Sequence, residues 1–433
     1  MKKILFQVFS LLLLLGSSGC NTKGDAPNDK PLSERWIPTL RIYTENEAEV
    51  TSRESWTTVT RFVLTDPNNP ENNITETNPR NQIRGRGNTT WLYPKRSYRV
   101  RFRENTSLFG LRAHRNWILL AEFLDPTFLT TAVAFELGQN VFNLPFTNSY
   151  FHVHVYINGR YDGIYILTEH RQAAPDNVGA PGRAEIHPTK GWFVELDIGF
   201  DEPPKFRTQN FNLPVLIKIP TIFETRPGFP SNTENSDDPF FDFIRNDWNQ
   251  LTDLMVCTNF PENGYRDLID METFVDFLMI NEIVLNAELG HPKSVFAYKN
   301  TAGRIALGPI WDFDWAFSMQ FDAGGSGTHH FFAVYTGLNW IHPFFRRFFE
   351  DPVFVEMYRN RWNEKFPKVL NIANFIEEKG RKLQADVARD TERWLFDGGY
   401  RPGYPTNYLA EIARMRTWWI NRVNWLNAEI NRW

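Results

Sequence analysis

The chain has 433 residues, of which 42% are hydrophobic and 23% are charged. These proportions are close to those of globular proteins, so they argue against a largely disordered chain and against a polytopic membrane protein. The formal net charge of −4 gives no reason to expect a nucleic-acid partner. Aromatic residues make up 15% of the chain, which favours a large packed core, and the length fits two or three domains or one two-lobed catalytic domain.

The N-terminus is typical of an exported protein. Two lysines precede an apolar run from Ile4 to Leu15, which is too short to span a bilayer as a mature helix. Small residues then lead to Cys20, and this pattern resembles a bacterial lipoprotein processing site. We therefore expect a signal peptide at 1–19, a lipid on Cys20 and a polar tether at 20–35, with simple secretion as the alternative. The protein would be an exported lipoprotein of the outer membrane or cell surface, and would contact the membrane through its lipid anchor only.

The only other cysteine is Cys257. An exported chain with one cysteine after the anchor has no internal disulfide and no cysteine-rich metal site. Because Met255 and Val256 precede it, we expect Cys257 to be a small buried residue and not a nucleophile.

The first half of the chain is predicted to be rich in β-strands. Short apolar runs at 39–43 and 61–64 are separated by polar turns. Apolar and basic residues alternate over 98–102, which predicts a strand with one wet, positive face. A helix is expected at 126–137, with Gly138 at its C-terminal end.

A β-hairpin is the clearest local prediction. The runs 152–157 and 161–169 are rich in Val, Ile and Tyr, and Asn158-Gly159 joins them. Asn-Gly favours a tight hairpin turn because both residues tolerate positive φ.

The second half is predicted to be more helical. A strand at 192–196 is followed by a polar insertion at about 200–239. Apolar residues at helical spacing predict helices at 240–255 and 271–286, the second with Asp270 as its N-cap.

Two short strands and a terminal helix complete the predicted elements. The strands, at 294–299 and 304–309, lead into an aromatic and acidic segment. In the terminal helix, Arg416 is the expected polar interruption of an apolar face that packs in the core. That face consists of Leu409, Ile412, Trp419, Val423, Leu426, Ile430 and Trp433.

The acidic segment is Asp312-Phe313-Asp314, framed by Trp311 and Trp315. On a strand, residues i and i+2 point to the same side, so both carboxylates could face one divalent metal or one substrate. A pair of N-capping or salt-bridged aspartates is the alternative.

A loop with several polar residues follows the second predicted helix. It contains Glu288, His291, Lys293 and Ser294 among glycine and proline. Loops held by rigid elements often present catalytic groups, although a histidine beside a proline is more often a loop residue than a base.

A glycine-rich turn lies in the first half. Residues 84–91 read Arg-Gly-Arg-Gly-Asn-Thr-Thr-Trp, and Pro94-Lys95 follow. Free backbone amides beside Arg86 and Lys95 could hold phosphate, and an ordinary hairpin turn is at least as consistent with this pattern.

These motifs together resemble the CotH (spore coat protein H) kinase family. The resemblance lies in the turn 84–91 with 94–99, in the hairpin 158–165 through Thr168-Glu169, and in the segment 309–314. Their order, from a glycine-rich turn and a lysine to an Asp-Phe-Asp motif, is that of a protein kinase.

The resemblance implies an α+β, atypical protein-kinase-like fold with two lobes. The β-rich N-lobe would span 36–169, and the helical C-lobe, with the insertion and the C-terminal helix, 170–433. It further implies phosphate transfer from ATP, with Mg²⁺ or Mn²⁺, to a secreted or surface protein.

Site residues follow from the same resemblance. Those expected to bind the nucleotide are Arg86, Lys95, Glu136 and Glu169. Those expected to bind the metal are Ser294, Asp312 and Asp314. Catalysis is expected of Glu288 and Asp312, with Glu288 accepting the proton of the acceptor hydroxyl.

The chain departs from the family pattern at the catalytic loop and in the first helix. Glu288 and Ser294 stand where active members have Asp and Asn, and Thr130-Thr131 stand where Arg-Asn is frequent. A catalytically inactive kinase-like scaffold that binds a protein or glycan is therefore the alternative. A glycoside hydrolase is disfavoured, because carboxylates two residues apart lie closer than the ~5 Å or more that such enzymes require.

Overall fold

The structure is a computed structural model. It describes residues 37–170, 191–219, 239–299, 302–317, 341–396 and 407–433, without the side chains of 239–240 and 395–396. The predicted signal peptide, Cys20 and the tether lie outside these ranges, so those expectations stay predictions.

An eight-stranded sheet occupies the first part of the chain. Its strands are β1 (Thr39–Thr44), β2 (Thr57–Thr65), β3 (Ile74–Glu76), β4 (Asn81–Arg86), β5 (Ser97–Thr106), β6 (His114–Leu120), β7 (Phe151–Ile157) and β8 (Arg160–Glu169). The order is β1-β7-β8-β6-β5-β4-β2-β3, and antiparallel pairing of β1 with β2 closes the sheet into a barrel. The inward residues, such as Ile42, Phe62, Val100 and Trp117, form a separate buried cluster.

The predicted hairpin is confirmed. Strands β7 and β8 pair antiparallel, and Asn158 and Gly159 have φ values of 51° and 78°. The Asn158 amide also binds Thr44, donating to its hydroxyl and accepting from its backbone N–H, each at 2.8 Å. The turn is therefore fixed to β1 as well as to its own strands.

The first helix, α1 (Thr130–Glu136), begins later than predicted. Asp125 accepts hydrogen bonds from the backbone N–H groups of Thr127 and Thr130, each at 2.8 Å, and so holds 126–129 in a loop. Gly138 does not end the helix, because it lies within a π-helical turn, Leu137–Val141.

A second, five-stranded antiparallel sheet follows. Its strands are β9 (Phe193–Leu196), β10 (Lys205–Arg207), β11 (Pro214–Ile219), β12 (Val295–Lys299) and β13 (Ile305–Leu307), in the order β10-β11-β9-β12-β13. The strands β10 and β11 fall within the predicted polar insertion, where Val215 and Ile217 are buried.

Helices dominate the second half. They are α2 (Pro239–Val256), α3 (Tyr265–Leu268), α4 (Met271–Ile283), α5 (Pro343–Arg347), α6 (Pro352–Phe396) and α7 (Tyr408–Ile430). The predicted cap of α4 is confirmed, since Asp270 accepts from the Thr273 N–H at 3.3 Å. The 45-residue helix α6 packs along α7 and also against β8 of the barrel.

Two predictions about single side chains are wrong. Cys257 is exposed, because α2 ends at Val256 and the chain turns outward there. The charged residue within the buried face of α7 is Arg422 and not Arg416. Arg422 reaches Glu282 of α4 at 2.5 Å, and both side chains are buried.

The α+β class, with a β-rich N-terminal region and a helical C-terminal region, is confirmed. The largest buried cluster lies among the second sheet and the helices. None of the helices in the described ranges is long and apolar enough to cross a membrane.

Candidate active site

An open cleft lies where the glycine-rich turn faces the second sheet. Its polar lining comes mainly from the end of β4 with the turn after it, the end of β9, the loop after α4, and residues 311–315, with further residues from β5, β6 and β11. The residues that supply its chemistry are Arg86, Asp197, Glu288, Lys293, Ser294, Asp312 and Asp314.

Aromatic packing positions the Asp-Phe-Asp segment. Phe313 is buried edge-to-face on Phe135 of α1 with ring centroids 6.2 Å apart, and Trp311 lies 6.1 Å from the same ring. The segment is not the strand that was predicted, since β13 ends at Leu307 and Asp312 has a φ of 64°. Both carboxylates nevertheless line the cleft, because the intervening Phe313 anchors the backbone between them.

Ser294 lies beside Asp312, as expected of two residues that share a site. Its hydroxyl donates to Asp312 Oδ2 at 2.9 Å, and its backbone N–H approaches Asp197 Oδ2 at 3.4 Å. Ser294 also has a positive φ of 52°. Two neighbouring non-glycine residues in the left-handed region indicate local strain of a kind that concentrates at functional sites.

Glu288 is 97% buried within a 3₁₀ turn, Ala287–Gly290, whose N-cap is Asn286. Its Oε1 atom lies 3.5 Å from Lys293 Nζ. Its Oε2 atom is buried without a hydrogen bond among the described residues and lies 3.9 Å from His291 Nε2. Burial, and then the charge of Asp312, raise the pKa of Glu288 to about 7, although Lys293 opposes the shift. A carboxylate of this kind is suited to exchange protons near neutral pH.

Asp314 has a similar environment. Burial and the neighbouring charge of Asp312 raise its pKa to about 7, and Arg86 opposes the shift. The Arg86 guanidinium also lies 5.7 Å from the centre of the Trp311 ring. Arg86 therefore lies near Asp314, and the nucleotide contact predicted for Arg86 stays a prediction.

The candidate ligands for a divalent cation in the cleft are the carboxylates of Asp312, Asp314 and Glu288. No group of three His, Cys, Asp or Glu side chains within the described ranges forms a ready metal cage. Mg²⁺, however, is commonly held by one or two carboxylates, with water and substrate phosphates completing its shell. The carboxylates of Asp312 and Asp314, the second with a pKa raised in part by the charge of the first, and the Glu288 Oε2 atom, which has no hydrogen bond within the described residues, fit this kind of site.

Lys95 lines an adjoining pocket, but its ammonium group is fully buried. It donates to Asp390 Oδ1 of α6 at 2.7 Å and to the Ile164 carbonyl at 2.5 Å. The phosphate contact predicted for Lys95 stays a prediction. It would require the ammonium group to donate hydrogen bonds to Asp390 and to a phosphate at the same time.

Glu136 and Glu169 do not line the cleft. Glu136 accepts from the Asn140 amide at 2.9 Å and from the Tyr150 hydroxyl at 3.0 Å. Glu169 accepts from the Ser149 N–H at 2.8 Å. The nucleotide contacts predicted for both residues stay predictions without support from these positions.

The sequence reasoning missed Glu122, a buried carboxylate in the adjoining pocket. Burial and the charges of Asp125 and Asp314 raise its pKa well above the ordinary value. Thr131 donates to Glu122 at 3.0 Å, and Thr130 donates to Asp125 at 2.9 Å. Thr130 and Thr131, which stand where the family often has Arg-Asn, thus donate hydrogen bonds to these two carboxylates.

A second missed group lies at the end of β9. Glu195 is buried and pairs with Lys218 at 2.8 Å, and Asp197 lies next to Ser294. Burial, and then the charge of Glu195, raise the pKa of Asp197. Carboxylates at the end of an otherwise apolar strand were the signal that could have identified these residues.

Two comparisons with known proteins bear on the chain. A family model described as CotH kinase protein matches residues 83–426, which is well over half of the sequence. The matched range begins in β4, ends in α7 and includes Arg86, Asp197, Glu288, Lys293, Ser294, Asp312 and Asp314. No match was found among curated proteins.

Proposed function

The chain belongs to the CotH kinase family, and from this we propose that it transfers phosphate from ATP to a hydroxyl group of a secreted or surface protein. The observation that carries the proposal is the convergence of Ser294, Asp312 and Glu288 in one cleft. The barrel would act as the N-lobe and the remainder as the C-lobe of an atypical kinase. The nucleotide would lie between the glycine-rich turn and the carboxylates.

We assign metal binding to Asp312 and Asp314, and phosphate binding to Arg86. Asp312, with Asp314 beside it, would hold Mg²⁺ or Mn²⁺, which when bound neutralises charge on the transferring phosphate. Arg86, whose charge already acts on Asp314, would bind phosphate oxygens. Ser294 positions Asp312 through its 2.9 Å hydrogen bond.

Glu288 is assigned the role of general base. Its Oε2 atom, which has no hydrogen bond within the described residues, offers an acceptor for the hydroxyl proton of the substrate. A pKa of about 7 allows a carboxylate to accept that proton near neutral pH and to release it afterwards. Lys293, at 3.5 Å from Oε1, keeps the other oxygen oriented.

Phosphate transfer tests the proposal. The purified protein is incubated with labelled ATP, Mg²⁺ or Mn²⁺ and candidate secreted proteins. We expect Asp312→Ala to abolish transfer and Asp314→Ala to weaken it. Asp267→Ala, which removes an exposed carboxylate of α3 outside the cleft, serves as the control. Identical background transfer by the wild type and Asp312→Ala would contradict the proposal.

Calorimetry isolates the metal assignment. Mg²⁺ is titrated in the presence of a non-hydrolysable ATP analogue. We expect Ser294→Asn to tighten binding, since an amide carbonyl ligates Mg²⁺ more readily than a neutral hydroxyl. Unchanged affinity in Asp312→Ala would remove the metal assignment, and unchanged affinity in Ser294→Asn would show that this loop does not face the metal.

A catalytically inactive scaffold is the second candidate function. The engagement of Lys95 by Asp390 favours it, because the ammonium group already has a counter-charge. Thermal unfolding with and without ATP and Mg²⁺ distinguishes the two. A metal-dependent upward shift in melting temperature supports the kinase, whereas no shift supports the scaffold.

Export and lipid attachment remain part of the proposal, since the phosphoacceptor is proposed to be a secreted or surface protein. Cells that express the full chain would be fed labelled palmitate. We expect label on the wild type and none on Cys20→Ala. Equal labelling of both would contradict lipid attachment at Cys20.

A further inference from the structure

Three arginines project from one face of the barrel. Arg99 and Arg101 are two residues apart on β5, and Arg84 of β4 is the direct partner of Arg99 in the antiparallel register. Side chains at positions i and i+2, and directly opposed cross-strand pairs, share a face of a sheet. The positive face predicted for 98–102 is therefore continued by the neighbouring strand.

All three guanidinium groups lie close to the ring of Trp56. The guanidinium carbons of Arg101, Arg84 and Arg99 lie 4.0, 4.6 and 5.7 Å from the centre of its ring. Cation–π attraction holds such groups near an aromatic face, but for Arg84 and Arg101 it does not replace a carboxylate as counter-charge. Arg115 of β6 lies close enough for its charge to act on Arg101, and we call Arg84, Arg99, Arg101 and Arg115 the arginine track.

The positive charges of the arginine track lie close enough to repel one another. Burial lowers the pKa of Arg101, and the charges of Arg84 and Arg115 lower it further. Within the described ranges none of these three guanidinium groups forms an ion pair with a carboxylate. Arg84 Nε is buried without a hydrogen-bond partner, and Arg115 Nε donates to a backbone carbonyl. Cations held together in this way favour the binding of an external anion.

The track is continuous with the cleft. Arg84 and Arg99 line its mouth, and Arg86, two residues along the same face of β4, acts on Asp314. A ligand that contacts both the carboxylates and the track therefore extends along β4 and β5. The cleft also carries Asp197, Asp201 and Glu202, and the charge of Glu202 acts on Arg84, so an anionic segment is favoured along the track and not across the whole cleft.

We propose that the arginine track docks an acidic segment of the acceptor polypeptide, so that a hydroxyl residue flanked by Asp or Glu is presented to Glu288. This inference rests on the proposed phosphotransfer and adds a class of substrate to it. The carboxylates of the peptide would pair with guanidinium groups that are already held in position by Trp56.

Binding is measured first, without ATP. The probe is a fluorescent peptide with one serine beside a run of glutamates, and the same peptide with glutamines is the reference. We expect tighter binding of the glutamate peptide, weakening with salt. The Arg101→Gln/Arg115→Gln variant should lose affinity by about tenfold, and Arg101→Lys by less, because the charge remains.

The matched control is Arg61→Gln. Arg61 is an exposed arginine stacked over Tyr43 at 4.2 Å, elsewhere on the barrel, so Arg61→Gln removes one charge and one stacking contact, as the single Arg101→Gln variant does. Equal losses in Arg61→Gln and in the track variant would overturn the inference. So would equal affinity for the two peptides, or tighter binding of a single-stranded oligonucleotide at the track.

Kinetics separate this inference from the proposed function. If both hold, the KM for the glutamate peptide rises in the track variant while the KM for ATP does not. Transfer with no preference for the acidic peptide would overturn the docking inference and leave the kinase intact. Preferred binding of the acidic peptide without any transfer would overturn the kinase and retain an acidic-peptide surface.

Discussion

The buried ion pair between Lys95 and Asp390 permits a quantitative prediction. Both side chains have 0% exposure, and their charged atoms are 2.7 Å apart. The pair also satisfies both backbone groups of Ile164: Lys95 donates to the carbonyl at 2.5 Å, and Asp390 accepts from the N–H at 2.7 Å. The pair therefore connects helix α6 to strand β8.

Removal of one partner leaves a charge buried without its counter-charge. Asp390→Leu removes the carboxylate that pairs with the buried Lys95 ammonium group, which costs about 3–5 kcal/mol. It also removes the acceptor of the Ile164 N–H, which costs about 1–3 kcal/mol. Lys95→Met costs about 3–5 kcal/mol by the same reasoning. The double variant contains no buried charge at this position, so it should be more stable than either single variant.

Urea unfolding followed by circular dichroism measures these free energies. A double-mutant cycle gives the coupling between the two residues, which should be several kcal/mol. The exposed pair Glu377 and Arg381, 2.8 Å apart, is the control, since truncation of either partner of a solvent-exposed pair should change stability little. A double variant whose loss equals the sum of the single losses would refute the reasoning. Nucleotide titration of the folded double variant then tests the predicted phosphate contact of Lys95 apart from stability.

Three further outcomes are expected. Because burial and Asp312 raise the pKa of Glu288 from 4.5 to about 7, the folded state binds this proton more tightly than the unfolded chain, so the free energy of unfolding falls as pH rises from 4.5 to about 7. In metal-free buffer Glu288→Gln should make this decline shallower, while Asp314, whose pKa is also raised to about 7, keeps its own contribution; a pH curve parallel to that of the wild type would contradict the assignment to Glu288. A Cβ on Gly85 would lie 2.0 Å from the Trp91 ring, so Gly85→Ala should destabilise by about 1–3 kcal/mol, and Trp91→Leu in the same chain should recover part of the loss in a thermal melt. Arg422→Met should cost about 3–5 kcal/mol in urea unfolding because it removes the buried cation that pairs with the Glu282 carboxylate, and a change below about 1 kcal/mol would contradict this.

Local sequence patterns predicted the elements whose causes lie within a few residues. The hairpin turn at Asn158-Gly159 depends on two residues that tolerate positive φ, and Asp270 caps its own helix through Thr273, three residues away. The ordered motifs identified the family and brought Ser294, Glu288 and Asp312 into one proposed site. Each of these inferences needed only the sequence.

Local signals also failed where packing with distant segments decides the outcome. The positive φ of Asp312 follows from the anchoring of Phe313 on a helix far earlier in the chain. Arg422 is buried because Glu282 of another helix receives it, and nothing near Arg422 in sequence indicates that partner.

The sequence by itself therefore predicted the α+β class and the family, and it named Glu288, Asp312 and Asp314 as acidic site candidates. Only the tertiary structure determined which charge each of them faces. Lys95 and Asp390 are 295 positions apart, so no periodicity or motif links them. Burial makes such pairings strong, and burial is a property of the packed chain, since each long-range partner is selected by the elements that enclose it.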